Sequence, residues 1–113
     1  MGLFNIAVVP ALTPCPGCGS DADQRVQYKY GHVWQLEVRP GDPIVWERPS
    51  VGDPAEGTLR VVGVREYCRS CGWDPPDGEY CAVDVSDGVL AGACLLAPAQ
   101  AAELLREELE RGW

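Results

Sequence analysis

The chain has 113 residues, nine basic and 17 acidic, for a formal net charge of −8 at pH 7. That length suits one domain, residues 1–113, which buries roughly two thirds of its unfolded surface. A surface this acidic repels phosphate backbones and argues against direct nucleic-acid binding. Thirteen Gly and ten Pro imply many turns, short strands and a modest core that gains from a cross-link.

In chain order, the apolar run 3–12 is broken by Pro10 and preceded by no basic residue. It therefore suits neither a signal peptide nor a membrane span, and a cytoplasmic protein is expected. Leu12-Thr13-Pro14-Cys15 loosely suggests a lipoprotein cleavage site but lacks the basic start. Met1-Gly2 fails as a myristoylation signal because Ile6 stands where Ser or Thr is needed. Residues 5–9 read as a strand leading to Cys15. Residues 24–30 and 33–39 alternate, with Val26, Tyr28 and Tyr30 on one face and Trp34, Leu36 and Val38 on the other's matching face. A hairpin with Gly31, His32 and Val33 in its loop sets Tyr30 opposite Trp34, Tyr28 opposite Leu36 and Val26 opposite Val38, joining both apolar stripes.

Strands follow at 44–47 and 58–67, joined by a Pro- and Gly-rich loop, 49–57, that is expected to be mobile. Residues 79–86 and 89–96 flank Asp87-Gly88, a strong type I′ hairpin signal. Counted back from that turn, Val85 meets Leu90, Val83 meets Gly92 and Cys81 meets Cys94 across the ladder. A cross-strand disulfide and a pair of reduced core thiols are both open, and a reducing cytosol favours thiols. From Pro98 the spacing changes to helical: Ala101, Leu104, Leu105 and Leu109 form a narrow stripe, and Gly112 ends a helix over about 98–112. Glu107 and Arg111 stand at pairing distance, and the helix either packs on its own sheet or carries Trp113 as an anchor for a partner.

The chemistry is concentrated in two knuckles, Cys15-Pro16-Gly17-Cys18-Gly19 and Cys68-Arg69-Ser70-Cys71-Gly72. A two-residue spacer lets one turn aim two sulfurs at one point, and the following Gly accepts the positive φ on the way out. Two matched half-sites make one tetrahedron of Cys15, Cys18, Cys68 and Cys71, against the alternative of two local disulfides or four reduced thiols. This pattern resembles the zinc ribbon family, whose knuckles also occur in rubredoxins. The resemblance implies one structural zinc; iron is less favoured, although four thiolates suit both metals. Together with the strands and helix read above, the expected fold is mainly β, a small α+β protein with an antiparallel zinc-ribbon-type sheet of hairpins and one C-terminal helix. Tyr28-Lys29-Tyr30-Gly31, Trp34-Gln35, Glu37, Gly41-Asp42 and Trp46 between the knuckles look like small bacterial zinc-ribbon proteins of no assigned activity.

With four protein ligands the metal offers no open position, so a metal-centred hydrolase is disfavoured. The single histidine, His32, sits at the expected hairpin tip and supplies no catalytic dyad. An enzyme would have to draw on Glu37, Asp42, Glu47 or Glu66, whose spacing demands no catalysis. A nucleic-acid reader would have to gather Arg25, Lys29 and Arg39. Between Trp73 and Asp87 lie Asp74, Asp77, Glu79, Asp84 and Asp87 with no base. The function expected is a non-enzymatic accessory module that meets a basic protein partner through Trp73, Asp74 and Asp77.

Overall fold

In the computed structural model, which describes residues 3–112, Asn5–Val9 forms β1 with every residue buried. An apolar run covered on both faces belongs inside a sheet, and β1 lies there. On one side it pairs antiparallel with β2, Gln24–Tyr28; on the other it pairs parallel with β4, Glu37–Val38. Three longer strands extend the sheet beyond β2: β6 (Leu59–Arg65), β7 (Cys81–Ser86) and β8 (Val89–Leu95), in the order β4-β1-β2-β6-β7-β8. A separate ribbon joins β3, Gly31–His32, to β5, Ser50–Val51. The sheet is therefore mixed, and the expected all-antiparallel arrangement is corrected at the β1–β4 pair.

Residues opposite each other in a ladder share a face. Ala7, Val26, Val61, Val83, Val85 and Leu90 accordingly form one buried stripe, which Tyr30 and Ile44 cover from the loops. Ring packing of Tyr30 edge-on to Trp46, with centroids 5.1 Å apart, completes that layer. The helix α1, Pro98–Arg111, packs against β6 and buries Ala101 and Leu104. Its first turn is closed by Gln100 Oε1, which accepts the Ala97 N–H, and its last by Gly112 at φ 76°. Leu109, part of the expected stripe, is 80% exposed. Arg111 reaches Glu56 at 3.7 Å, and Trp113 lies outside the described residues. Among those residues no helix is long and apolar enough to cross a membrane.

The hairpin expected from 24–30 and 33–39 does not form, because β1 separates its two halves. The side chain of Asn5, 2% exposed, organises the crossing. Its Nδ2 donates to the carbonyls of Tyr30 and His32 at 3.2 and 2.7 Å, and its Oδ1 accepts from Trp34 and Leu36 N–H at 3.3 and 3.2 Å. Gln35 turns there with φ 55°, and Trp34 ends 53% exposed while Tyr30 is buried. A hairpin of 24–30 with 33–39 has no place for β1 between its halves; pairing the backbone of buried β1 on both edges outweighs closing a local hairpin.

Residues 44–47 form no strand and bond instead to two separate elements: Val45 O accepts from His32 N–H and Ile44 N–H donates to Gly88 O. Gly31 is required beside them, since a Cβ there would lie 2.5 Å from Ile44 Cγ2. The loop after Pro49, expected to be mobile, is tied down by β5, by a 3-10 turn at Pro54–Glu56 capped by Asp53, and by the Tyr30 hydroxyl, which donates to Asp53 O.

The Asp87-Gly88 turn stands as read, with Ser86 opposite Val89 and Val85 opposite Leu90. Beyond it a bulge at Ala91 shifts the register by one, so Cys81 meets Leu95 and Ala82 meets Cys94. Cys81 and Cys94 thus lie on opposite faces, both with free thiols. The shift delivers Ala93 and Leu95 to the apolar face in place of Gly92 and Cys94, a gain in buried hydrocarbon that a straight hairpin forgoes.

Replacing Asn5 by Ala leaves buried carbonyls and amides without partners. We expect a loss of at least about 2 kcal/mol in urea unfolding; a change under about 0.5 kcal/mol would remove Asn5 from this role.

Candidate metal centre

The two knuckles meet because of the β2–β6 ladder. The first precedes β2 and the second follows β6, and these strands are antiparallel with Val26 opposite Arg65. Their knuckle-bearing ends therefore fall at the same edge of the sheet. Glu66 N–H, donating to Arg25 O at 2.9 Å, carries the pairing toward the cysteines.

Each knuckle repeats the same backbone circuit. Gly19 N–H donates to Cys15 O at 2.7 Å and Gly72 N–H to Cys68 O at 2.8 Å, while Cys15 N–H finds Ser20 O and Cys68 N–H finds Trp73 O. Both exit glycines have positive φ, 72° at Gly19 and 80° at Gly72, as the motif requires. All four Sγ atoms lie within 4.8 Å of one another. Cys15 Sγ stands 3.7 Å from Cys71 Sγ, and Cys18 Sγ 3.9 Å from Cys68 Sγ.

Those separations test what the donors can hold. A disulfide needs about 2.05 Å, so no sulfur is bonded to another. Four sulfurs at about 2.3 Å from a central ion stand about 3.8 Å apart at the corners of a tetrahedron, which the cluster fits. Electrostatics point the same way. The Cys71 and Ser70 amides hold the Cys68 thiol down, whereas Cys71, despite the Trp73 amide, is pushed up by desolvation and by its three neighbouring thiols. Cys18 is likewise raised, against the Ser20 amide, by desolvation and by Cys15 and Cys68. Four sulfurs this close cannot all ionise together without a cation among them, and a divalent ion supplies that charge.

Two features beside the cluster escaped the motif. Gly17 is needed for space: a Cβ there would fall 2.9 Å from both Cys71 Sγ and Trp73 Cβ. Trp73 closes the second knuckle over Gly17, and the Arg65 guanidinium lies 4.9 Å from its ring centroid. Arg65, its side chain 4% exposed, is held in turn by Glu79 at 2.9 Å. A small residue inside one CxxC and an aromatic after the other were visible in the sequence, but only the three-dimensional approach of the knuckles gives them a common purpose.

The other candidates scatter. Glu37 and Glu66 converge on Arg25 at 2.7 and 2.9 Å, and Gln27 adds a bond to Glu66 at 2.9 Å. Arg25 holds Glu37 below the usual carboxylate range; Glu66, which burial alone would raise, is brought down by Gln27 and Arg25. These are ionised partners of a guanidinium, not poised acids. Asp42 accepts the Arg39 N–H within its own turn, and Glu47 is exposed. His32 Nδ1 faces the carbonyls of Glu47 and Pro49 and is no part of the sulfur cluster. Of Arg25, Lys29 and Arg39, the first is held by Glu37 and Glu66 and the last faces Asp23 at 3.7 Å. In the acidic segment, Glu79 and Asp84 are paired with Arg65 and Arg60, whereas Asp74 and Asp77 are exposed. No family model, curated protein or solved structure matches this chain.

Substituting Gly17 by Ala forces Cys71 Sγ or Trp73 to give way. Competition against a chromophoric chelator should show metal affinity lowered about 10- to 100-fold, with far-ultraviolet dichroism kept; unchanged affinity would show that the contact tolerates a methyl group.

Proposed function

We propose that this chain is a non-catalytic accessory protein of the cytoplasm, built like a zinc ribbon around one structural zinc and presenting an acidic surface to a basic protein partner. One observation carries the reading: four cysteine sulfurs converge at tetrahedral spacing, a donor set that leaves no coordination position for water or substrate. The metal then serves the fold, fastening two loops to one end of the sheet. Zinc is preferred to iron because the paired CxxCG knuckles resemble zinc ribbons, although both metals accept four thiolates.

The partner-facing part of the proposal rests on Asp74 and Asp77. They are exposed, make no ion pair with a described residue, and follow a knuckle whose ring Trp73 is fixed beneath Arg65. Charge held on a stiff turn steers an oppositely charged surface at little entropic cost. Trp73 is half-buried in this packing, so it contributes an edge and supports the acids more than it acts as a free anchor.

Metal analysis of the purified protein should give about one zinc per chain, lost in Cys68→Ser together with thermal stability; less than about a tenth of that zinc, with no iron, would contradict the metal centre. For the surface, Asp74→Lys combined with Asp77→Lys should keep full zinc and lose the proteins that the parent retains from cytosol at low salt. Retention of the same proteins by both forms would place the contact elsewhere.

A further inference from the structure

A second constellation lies away from the cysteines, where β2 parts from β6. The pairing of these strands ends with Tyr28 opposite Gly63. The chain then leaves toward β3, and β6 continues toward Leu59 with no strand on that side. Val62 N–H would lack a ladder partner there; it donates instead to Glu108 Oε1 of α1 at 2.8 Å. The opening left between helix and sheet is a groove of about 260 Å³, lined by Phe4, Gln27, Lys29, Val62, Val64 and Glu108 among others.

The carboxylate in this groove lacks the guanidinium that holds several others. Glu66, Glu79 and Asp84 are also partly buried, and each has a guanidinium within 2.7–2.9 Å. Glu108 has no such ion pair: Arg111 acts on it through space and is itself 3.7 Å from Glu56. No described group hydrogen-bonds its Oε2. Burial raises its pKa above the ordinary carboxylate value, against the Val62 N–H and Arg111, which fits a charge short of counter-ions. Beside it Val64, 46% exposed, and Val62 and Phe4 present hydrocarbon.

We propose that this groove binds a small free molecule carrying one primary ammonium group on a short apolar stem, the ammonium on Glu108 Oε2 and the stem along Phe4, Val62 and Val64. An ammonium donates three hydrogen bonds and brings the missing positive charge, and its methylenes leave water for the apolar wall. The volume suits a small molecule more than a protein segment. A net charge of −8 draws cations toward the surface; Lys29, exposed at the rim, opposes any cation and holds the affinity to the millimolar range. The site is independent of the metal centre and of the acidic turn after it, so either can fail without the other.

Titration of the zinc-loaded protein with n-butylammonium, followed by amide NMR, tests this. Saturable shifts at Lys29, Gly63 and Val64 in the millimolar range are expected, with n-butanol at least about tenfold weaker. Glu108→Gln keeps an acceptor for the Val62 N–H and should weaken binding about tenfold or more, while Glu103→Gln, on an exposed position of the same helix, should leave it unchanged. Val64→Trp fills the groove with the carboxylate intact and should also abolish the shifts, a check that does not depend on how Glu108→Gln folds. Equal binding of butanol, insensitivity to both groove variants, or shifts spread equally over Asp74 and Asp77 would overturn the site. Binding of Nα-acetyl-lysine methylamide tenfold tighter than n-butylammonium would overturn the choice of a free amine in favour of a protein lysine.

Discussion

Two pairs of thiols separated by 49 residues have to reach one point, and the antiparallel pairing of β2 with β6 makes that possible. Closing so long a loop with a metal alone carries a large entropic cost. Here the ladder has already met that cost through Val26 opposite Arg65, and Glu66 N–H on Arg25 O extends it to the threshold of the second knuckle. What a metal would add is local: it would join two short turns already facing each other. The position of β2 in turn depends on β1, whose buried backbone N–H and C=O groups require a strand on each side. Strand order, knuckle approach and cluster geometry are thus successive consequences of one buried strand.

Around the sulfurs the sheet supplies a graded setting. Exposed pairs such as Arg60 with Asp84 contribute little, since water and side-chain entropy offset them. Arg65 is different: buried between Trp73 and Glu79, it would be left as an uncompensated buried charge if Glu79 were lost, and would lose its ring contact if Trp73 were. Through Trp73 and Gly17 that buried guanidinium touches the knuckle wall, so the core of β6 and the ligand turns are mechanically continuous. The Arg25, Glu37, Glu66 and Gln27 network covers the same end of the sheet, with one guanidinium shared by two carboxylates.

Much of the architecture could be read from local pattern. The helix matched its expected limits because Pro98, the spacing of Ala101 and Leu104, and Gly112 are signals carried within a few residues. The four-cysteine cluster was legible for the same reason, each knuckle being a self-contained turn. Long-range choices were not. Nothing near Asn5 in sequence announces that its amide will collect groups from Tyr30 to Leu36 and route that segment to the far side of β1. The bulge at Ala91 depends on whether Leu95 or Cys94 reaches the apolar face, a competition settled by the opposite wall of the core. Glu108 reads as one more acid on a helix's outer face, and only the departure of β2 from β6 turns it inward.

The central claim is that one metal is held by Cys15, Cys18, Cys68 and Cys71 and completes a fold already shaped to receive it. X-ray absorption at the zinc edge of the purified protein measures that claim at the atoms concerned. Four sulfur neighbours at about 2.3 Å, with no nitrogen or oxygen in the shell, are the result expected. A shell of two or three sulfurs completed by lighter atoms, or sulfurs linked to one another with no metal present, would contradict it.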